Sequence, residues 1–535
     1  MQGRRPPLFH RGVSLALVAI AVAGLFTVAA RQPNRAAAGT KGPPAATLLP
    51  LMNLSTRGAS VWDCPGPLVV GSGTVSSVVL DNPGPREVSA SIVVAVSAAP
   101  TRSGQFGHQL PSVVRQLRVR QGSEQTLVLP GTRGKTVDEA VSVTATGGGI
   151  AVSEQTSADK GRSLQRSLCG LGAAMSGALV TAGTSGSSEV RLSIFNPAAT
   201  PAVADVELAA PSGVALPQSP QGIPIPPQSL VVAKLSRDAV QEQRLAVLVT
   251  ATAGRISVGE QSDTQTTFRI GLGRGAAVQE AGATFGVGIG RALTHWVLPL
   301  GLTGATRTAT LEIFNPGVRP APVVVTSSEA GDRPSSVSLT VQPRSVTSLT
   351  APLPSSRRPP GSSGGATTSV ATRSRFTSVV ATGTVSVSTE LSSGVVVSRQ
   401  TYQRVSGSRR VVMTSVEALA AGSDTWLLPQ FYDARRFDSS VLLTNASNRL
   451  ATALLTGLPE MGPGATASSV PRQLASVEVP ALSSVLVDVS RLVASRKATE
   501  FGVEIRTNAP ILAEQELTLA GEPASLPVGG APGAP

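Results

Sequence analysis

The residues that could carry out catalysis or bind a metal are few and widely spaced in this chain. His10 precedes a long apolar segment, and neither His108 nor His295 has a second histidine, cysteine or acidic residue at the spacing of a zinc site. Residues 361–365 fit the formula of a hydrolase nucleophile turn, but they lie in low-complexity sequence without the strand and helix that such a turn needs. We predict no metal site, no cofactor and no catalytic residue.

Three glutamates in matching positions are the remaining acidic candidates. Glu154, Glu260 and Glu514 each precede a glutamine at the end of an apolar run. A pair of carboxylates can hydrolyse a glycoside even when the two are distant in sequence, so a cryptic glycan hydrolase stays an alternative. Because each glutamate occurs once per repeat near a strand end, we favour a solvent-facing or edge position over catalysis.

The two cysteines of the chain, Cys64 and Cys169, bracket its first repeat. In an oxidising compartment, two lone cysteines at the two ends of one domain favour pairing over free thiols. The bridge would enclose 169 − 64 − 1 = 104 residues and would stabilise the fold by roughly 4 to 5 kcal/mol if it acts through chain entropy. We predict a Cys64–Cys169 disulfide.

These residues are set within a pattern that occurs four times. An apolar run ends in an asparagine, which proline follows in three of the copies: Asn82 and Pro83, Asn196 and Pro197, Asn315 and Pro316, and Asn445. The asparagines are 196 − 82 = 114, 315 − 196 = 119 and 445 − 315 = 130 residues apart, which is the length of a small β-domain. Proline fixes φ and asparagine bonds to nearby backbone, so we interpret each pair as a structural turn at the end of a strand.

A tryptophan precedes three of the four asparagines by 19 or 20 residues, at Trp62, Trp296 and Trp426. The second repeat has Gly177 at this distance. We interpret the tryptophans as buried anchors of the first strand in each repeat. Exposed tryptophans would instead favour stacking on sugars, and with it a glycan-binding function.

Composition points to β-structure throughout. Only 14% of the residues are charged, small and β-branched residues dominate, and apolar residues alternate with polar ones in short runs. We predict an all-β chain of tandem immunoglobulin-like β-sandwich domains after an N-terminal transmembrane or signal helix. The predicted segments are a cytoplasmic basic N-terminus (1–12), a signal anchor or signal peptide (13–30), a disordered linker (31–52), sandwiches at 53–160, 168–275, 290–405 (with a basic Ser/Gly loop at 354–375) and 422–520, and a disordered tail (521–535).

The N-terminal segment sets the expected location. Val13 to Ala30 is uninterruptedly apolar or small, follows three arginines and precedes Arg31. Its 30 − 13 + 1 = 18 residues lie between the lengths of a signal peptide and a membrane-spanning helix. The basic side stays cytoplasmic. We therefore expect a single-pass protein of the cytoplasmic membrane with most of the chain outside, or a secreted protein after cleavage.

The net charge of +13 does not indicate nucleic-acid binding. Seven basic residues precede the first acidic residue, Asp63, which leaves 13 − 7 = +6 for the rest of the chain, and part of this excess lies in the 354–375 loop. A basic segment beside the membrane and one basic loop fit an anionic surface instead. The expected partners are anionic wall polymer, membrane lipid or an envelope protein.

Several of these features together resemble a known group of proteins. With Trp62, Cys64, the Asn82-Pro83-Gly84 turn and Cys169, residues 55–520 resemble an uncharacterised family of secreted or membrane-anchored proteins from high-GC Gram-positive bacteria (actinobacteria). The resemblance implies an address and an architecture, and it brings no known activity.

We accordingly predict a non-enzymatic, membrane-tethered scaffolding protein of the bacterial cell envelope, built as a rod of four domains. The alternative is a cell-wall glycan-binding array or an accessory subunit of a glycan-assembling enzyme.

Cell fractionation distinguishes the two readings of the N-terminal segment. If Val13 to Ala30 is an uncleaved anchor, full-length protein is recovered with the membrane, because an apolar helix of this length partitions into the bilayer. A soluble product beginning near Arg31 or Gly39 would show a cleaved signal peptide instead.

Overall fold

The computed structural model describes most of the chain beyond residue 59, and residues 48–535 form one compact body. The described residues are 60–70, 74–98, 109–131, 136–158, 163–181, 189–214, 221–235, 244–269, 277–299, 307–328, 334–351, 377–380, 383–404, 410–419, 421–432, 437–459, 472–493, 500–519, 525–529 and 531–532. The predicted segments 1–12, 13–30 and 31–52 and the loop 354–375 lie outside the described residues.

Each of the four repeats forms a unit of antiparallel strands. Unit 1 contains β1 (Ser60–Val70), β2 (Val75–Asn82), β3 (Val88–Ala98), β4 (Gln109–Val119), β5 (Ser123–Val128), β6 (Val137–Thr146), β7 (Ala151–Ala158) and β8 (Ser163–Leu168). Unit 2 contains β9 (Ser176–Thr181), β10 (Glu189–Asn196), β11 (Ala202–Ala210), β12 (Gly213–Val214), β13 (Ile223–Ile225), β14 (Ser229–Leu235), β15 (Leu245–Ala253), β16 (Ser257–Arg269) and β17 (Ala277–Val287).

Units 3 and 4 follow the same plan. Unit 3 contains β18 (His295–Pro299), β19 (Arg307–Asn315), β20 (Ala321–Ser328), β21 (Ser335–Val341), β22 (Ser345–Ala351), β23 (Thr377–Val380), β24 (Thr384–Thr389), β25 (Val396–Arg404) and β26 (Arg410–Glu417). Unit 4 contains β27 (Ser423–Tyr432), β28 (Phe437–Asn445), β29 (Ala451–Pro459), β30 (Arg472–Val479), β31 (Ser483–Asp488), helix α1 (Val489–Val493), β32 (Glu500–Leu519), β33 (Ser525–Gly529) and β34 (Ala531–Pro532). The described residues contain no helix that could cross a membrane.

Every unit has two sheets, and the order of the strands in these sheets is the same in all four units. In unit 1 the first sheet is β1-β6-β3-β4 and the second is β5-β2-β7-β8. The corresponding sheets are β18-β24-β20-β21 and β22-β19-β25-β26 in unit 3, and unit 2 repeats the order with β13 in place of the outermost strand. In unit 4 the long β32 serves both sheets, since its first half pairs with β27 and β29 and its second half with β28 and β33.

The two sheets of a unit share one hydrophobic core, as in a β-sandwich. In unit 1, for example, Ile92 and Val143 of the first sheet cluster with Leu80 and Val152 of the second. Corresponding clusters fill units 2, 3 and 4. The alternation of buried and less buried residues along β11 and β20 places one face of each strand in these cores. The all-β prediction is therefore confirmed in its broad form.

The connectivity differs from that of an immunoglobulin constant domain. In that domain the first two strands are neighbours in one sheet, whereas β1 and β2 lie in different sheets here. Among the seven strands β1 to β7, only β3 and β4 are both consecutive and paired. The two-sheet architecture is thus shared with immunoglobulin domains, and the strand order is not.

Segments predicted to lie between the sandwiches form the eighth strand of each unit. β8 pairs with β7, β17 with β16, and β26 with β25, within or beside the expected boundaries. The tail at 521–535, predicted to be disordered, contains β33, which pairs with β32 in the same way. β17 and β26 pair in parallel and join units 2 and 3 into one eight-stranded sheet.

The units form a closed ring. The second sheet of unit 2 packs on the first sheet of unit 1, where Phe195 and Leu230 contact Ala95 and Ala140. The second sheet of unit 3 packs on unit 2 in the same way, with Phe314 and Val346 against three alanines. β23, from an insertion in unit 3, pairs with β31 of unit 4.

Unit 4 then returns to unit 1, where Leu427 and Leu458 contact Ala151. The expectation of a rod is wrong. At these contacts the outward faces of the sheets carry small or apolar residues, and they are covered by the next unit rather than by water.

Phe195→Ala tests the packing between units 1 and 2. Phe195 is fully buried at the contact, so its truncation should lower the free energy of unfolding by about 3 to 5 kcal/mol and lower the thermal midpoint. Val318→Ala is the control, because Val318 is 78% exposed and its loss should change little. Equal thermal midpoints for the two variants would contradict the contact.

Candidate functional site

The four repeat asparagines are fully buried and make one set of contacts. Each side-chain amide donates to the carbonyl oxygen four residues later, at 2.6 to 2.8 Å, and to a carbonyl at the end of the facing strand, at 3.0 to 3.1 Å. Each side-chain oxygen accepts from the amide two residues later at 2.9 to 3.0 Å. The asparagine therefore ties the turn to the neighbouring strand, and both hydrogens of its buried amide are used within the protein. Pro83, Pro197 and Pro316 follow in these turns.

The three tryptophans lie in the cores of their units. Trp62, Trp296 and Trp426 are 2%, 1% and 0% exposed. The Trp296 indole donates to the Val395 carbonyl at 2.8 Å, and the Trp426 indole to the Ile511 carbonyl at 3.0 Å. None of the three indole rings therefore offers an exposed face on which a sugar could stack.

Unit 2 lacks the tryptophan because another side chain occupies its place. A Cβ atom on Gly177 would lie 2.8 Å from the Cβ of Val258. Gly288, in a glycine-rich run of the sequence, approaches the same valine and the Gly177 backbone from the next strand. These glycines permit close strand packing.

Cys64 and Cys169 form a disulfide, as predicted, with their Cα atoms 4.4 Å apart. A carboxylate oxygen of Glu154 lies within 4.8 Å of both sulfurs. Because both sulfurs are in the disulfide, this group is not a metal site. The Gly66 amide donates to Glu154 Oε2 at 3.2 Å. Burial raises the pKa of Glu154 well above its usual value, and this hydrogen bond opposes the shift only in part.

The expected solvent-facing position of the repeated glutamates is wrong. Glu154, Glu260 and Glu514 are all at most 2% exposed. The sequence pattern located their strands correctly, but it carried no sign that the ends of those strands are covered by neighbouring units and by the disulfide.

A wholly or partly buried arginine connects each unit to the next. At the contact of units 1 and 2, Arg191 Nη2 lies 2.6 Å from Asp138 Oδ2. At the contact of units 2 and 3, Arg244 Nε donates to Glu312 Oε1 at 3.0 Å, and its guanidinium also contacts Tyr402. Burial raises the pKa of Glu312, against the opposing effects of Arg244 and Ser348.

The other two contacts have arginines as well. Arg399 of unit 3 pairs with Glu514 of unit 4, both nearly inaccessible to solvent, and it also donates to the Pro299 carbonyl at 2.7 Å. Arg166 of unit 1 donates to Gln515 of unit 4 at 3.2 Å and to Gln155 at 2.9 Å. Arginine suits these positions because its planar fork makes several hydrogen bonds at once and stays charged when buried.

A carboxyl pair is buried where unit 4 meets unit 1. Asp81 and Glu124 are direct cross-strand neighbours on β2 and β5, and they are 1% and 0% exposed. A Cβ atom built on Gly502 of unit 4 would lie 2.4 Å from Asp81 Oδ1. Burial raises the pKa of Asp81 to about 7, although a hydrogen bond with Glu124 and the charge of Arg166 act in the opposite direction.

The fold does not bring the remaining candidate catalytic or metal-binding residues together within the described part of the chain. His295 lies at the exposed start of β18. His108 and the run at 361–365 lie outside the described residues. The described buried carboxylates are enclosed between sheets, so a polymeric substrate cannot reach them. The arrangement can hold units together and take up protons, which the sequence alone did not indicate. The signal that could have pointed to the contacts between units was a single arginine within an otherwise uncharged strand segment, at Arg166, Arg191 and Arg399.

Comparison with known proteins gives one partial match. The model of a family of unknown function, DUF5719, matches residues 149–269, a stretch from the start of β7 to the end of β16. No curated protein matches the chain. The match agrees with the expected resemblance to an uncharacterised family, and the bacterial source stays a prediction.

Glu514→Gln tests the arginine contacts. The substitution leaves the buried Arg399 without a counter-charge, so it should destabilise by about 3 to 5 kcal/mol in denaturant unfolding. Replacing both partners, with Arg399→Met and Glu514→Leu, should restore most of the loss. Arg118→Gln is the control because its pair with Glu87 is exposed. Equal stability of Glu514→Gln and this control would contradict a structural role for the pair.

Proposed function

We propose that this chain is a non-enzymatic structural protein of a bacterial cell envelope, held outside the cytoplasmic membrane by its N-terminal segment. Its four β-sandwiches act as one rigid body. The observation that carries the proposal is that, at each contact between units, at least one wholly or partly buried arginine bonds to a residue of the neighbouring unit. Such residues stabilise a particular arrangement of units instead of presenting a reactive group.

The disulfide supports the proposed address. A bridge between residues separated by 105 positions persists in an oxidising compartment, and it is uncommon in the bacterial cytosol. The apolar segment Val13 to Ala30 would direct export. Whether that segment remains as an anchor is the question that fractionation answers.

A partner would bind to the outer strands of the ring. β4 is exposed along most of its length, and it presents Val113 and Val114 together with Arg115 and Arg118. A mixed apolar and cationic strand suits an anionic wall polymer or an envelope protein. The buried tryptophans remove the feature that would have favoured a sugar-stacking array.

Complementation of a deletion strain tests the proposal. Glu154→Gln and Glu260→Gln keep the shape of two buried acids, so variants that fold like the wild type should restore the envelope phenotype and leave wall-glycan turnover unchanged. Phe195→Ala should fail in proportion to its loss of folded protein. A variant with wild-type stability that abolishes glycan turnover would establish an enzyme instead.

A further inference from the structure

One position in the repeat does not have the same chemistry at every contact between units. The residue just before the repeat asparagine points away from its own core, and it lies directly opposite a residue of the neighbouring strand. The four pairs are Phe195 with Leu230, Phe314 with Val346, Thr444 with Ser484, and Asp81 with Glu124.

Three of these pairs are uncharged and can therefore be buried at a contact between units at little cost. The two apolar pairs pack on alanines of the preceding unit. The hydroxyl pair satisfies itself, since Thr444 Oγ1 and Ser484 Oγ are 2.7 Å apart. Only the contact that closes the ring, between units 4 and 1, holds two acids at this position.

We propose that the Asp81–Glu124 pair is a proton-controlled latch: a proton bound between the two carboxyl groups keeps unit 1 closed on unit 4, and its loss loosens that contact. Two adjacent buried carboxylates cannot both be charged at low cost, because like charges directly opposite each other in a sheet repel and neither is hydrated. Separation of the units would expose both groups to water and relieve the repulsion.

The charged surroundings do not remove this cost. The described charged groups on the strands of units 1 and 4 that adjoin this face of β2 are Glu124 on β5, Arg166 on β8, Asp424 on β27, and Glu504, Arg506, Glu514 and Glu516 on β32. On the opposite face of the sheet, Glu154 lies on β7, and β1 and β4 carry Asp63, Arg115 and Arg118. Arg166 is already bonded to two glutamines, and Arg506 to Glu504. β29 carries no charged residue.

The direction of the pH effect follows from proton linkage. The pKa of Asp81 is raised to about 7 in the closed ring, and an exposed aspartate has a pKa near 3.9. The closed state therefore binds more protons than the open state between these values. Closure is favoured at acidic pH, is lost progressively from about pH 4 to about pH 7, and changes little above that range.

Hydrogen–deuterium exchange tests the latch on the full-length protein. After correction for intrinsic exchange rates, opening of 75–82 and 500–506 should increase by about tenfold for each pH unit between about pH 4 and pH 7. The segment 189–196, at the Phe195 contact, serves as the internal reference and should not follow this dependence.

Variants assign the effect to the pair. Asp81→Asn with Glu124→Gln should abolish the extra pH dependence at 75–82 and 500–506. Asp81→Thr with Glu124→Ser, which copies the pair in unit 4, should do the same and covers the case in which the amide variant fails to fold. Glu139→Gln is the matched control, since burial raises the pKa of Glu139 to about 7 but its carboxylate bonds Gly131 within unit 1.

Two results would overturn the proposal. One is a wild-type protein whose exchange at 75–82 and 500–506 depends on pH no more than that at 189–196. The other is a double variant that keeps the full wild-type dependence. A Glu139→Gln protein that loses the dependence would likewise assign it to another carboxyl group.

Discussion

The central strands of the second sheet in each unit are buried on both faces, and the ring follows from that constraint. One face packs within the unit on a hydrophobic core, and the other packs on the adjacent unit. The second contact requires small residues on one side, such as Ala95 and Ala140, and a larger side chain on the other, such as Phe195. Strands buried on both faces cannot keep a charged outer row, so the low charge content of the chain has a structural cause.

The same constraint explains why the buried polar groups are paired. A charge enclosed between two sheets is costly unless it is hydrogen-bonded and neutralised. Arg399 and Glu514 satisfy this condition across units, and Asn315 satisfies its amide within a turn. In the proposed latch, Asp81 and Glu124 meet it by sharing a proton, which makes the contact that closes the ring depend on pH.

The sequence predicted the strands, the turns and the disulfide because these depend on local pattern and on two unique cysteines. Asn82 and Pro83 mark a turn from their own chemistry. The ring was not predictable in the same way, because it depends on which sheet faces meet, and residues such as Ala140 and Phe195 look like ordinary core residues in a linear pattern. The eighth strands were missed for a related reason: β17 pairs with β16 of its own unit and with β26 of the next, and a pairing between units has no local sequence pattern.

Small-angle X-ray scattering on the chain from residue 48 onward tests the closed ring most directly. A compact body of 535 − 48 + 1 = 488 residues has a radius of gyration of about 23 Å. Four sandwiches in a row, each the length of an eleven-residue strand, would give roughly 40 Å. A value near the first figure is what closure of unit 4 on unit 1 predicts, and a value near the second would contradict it.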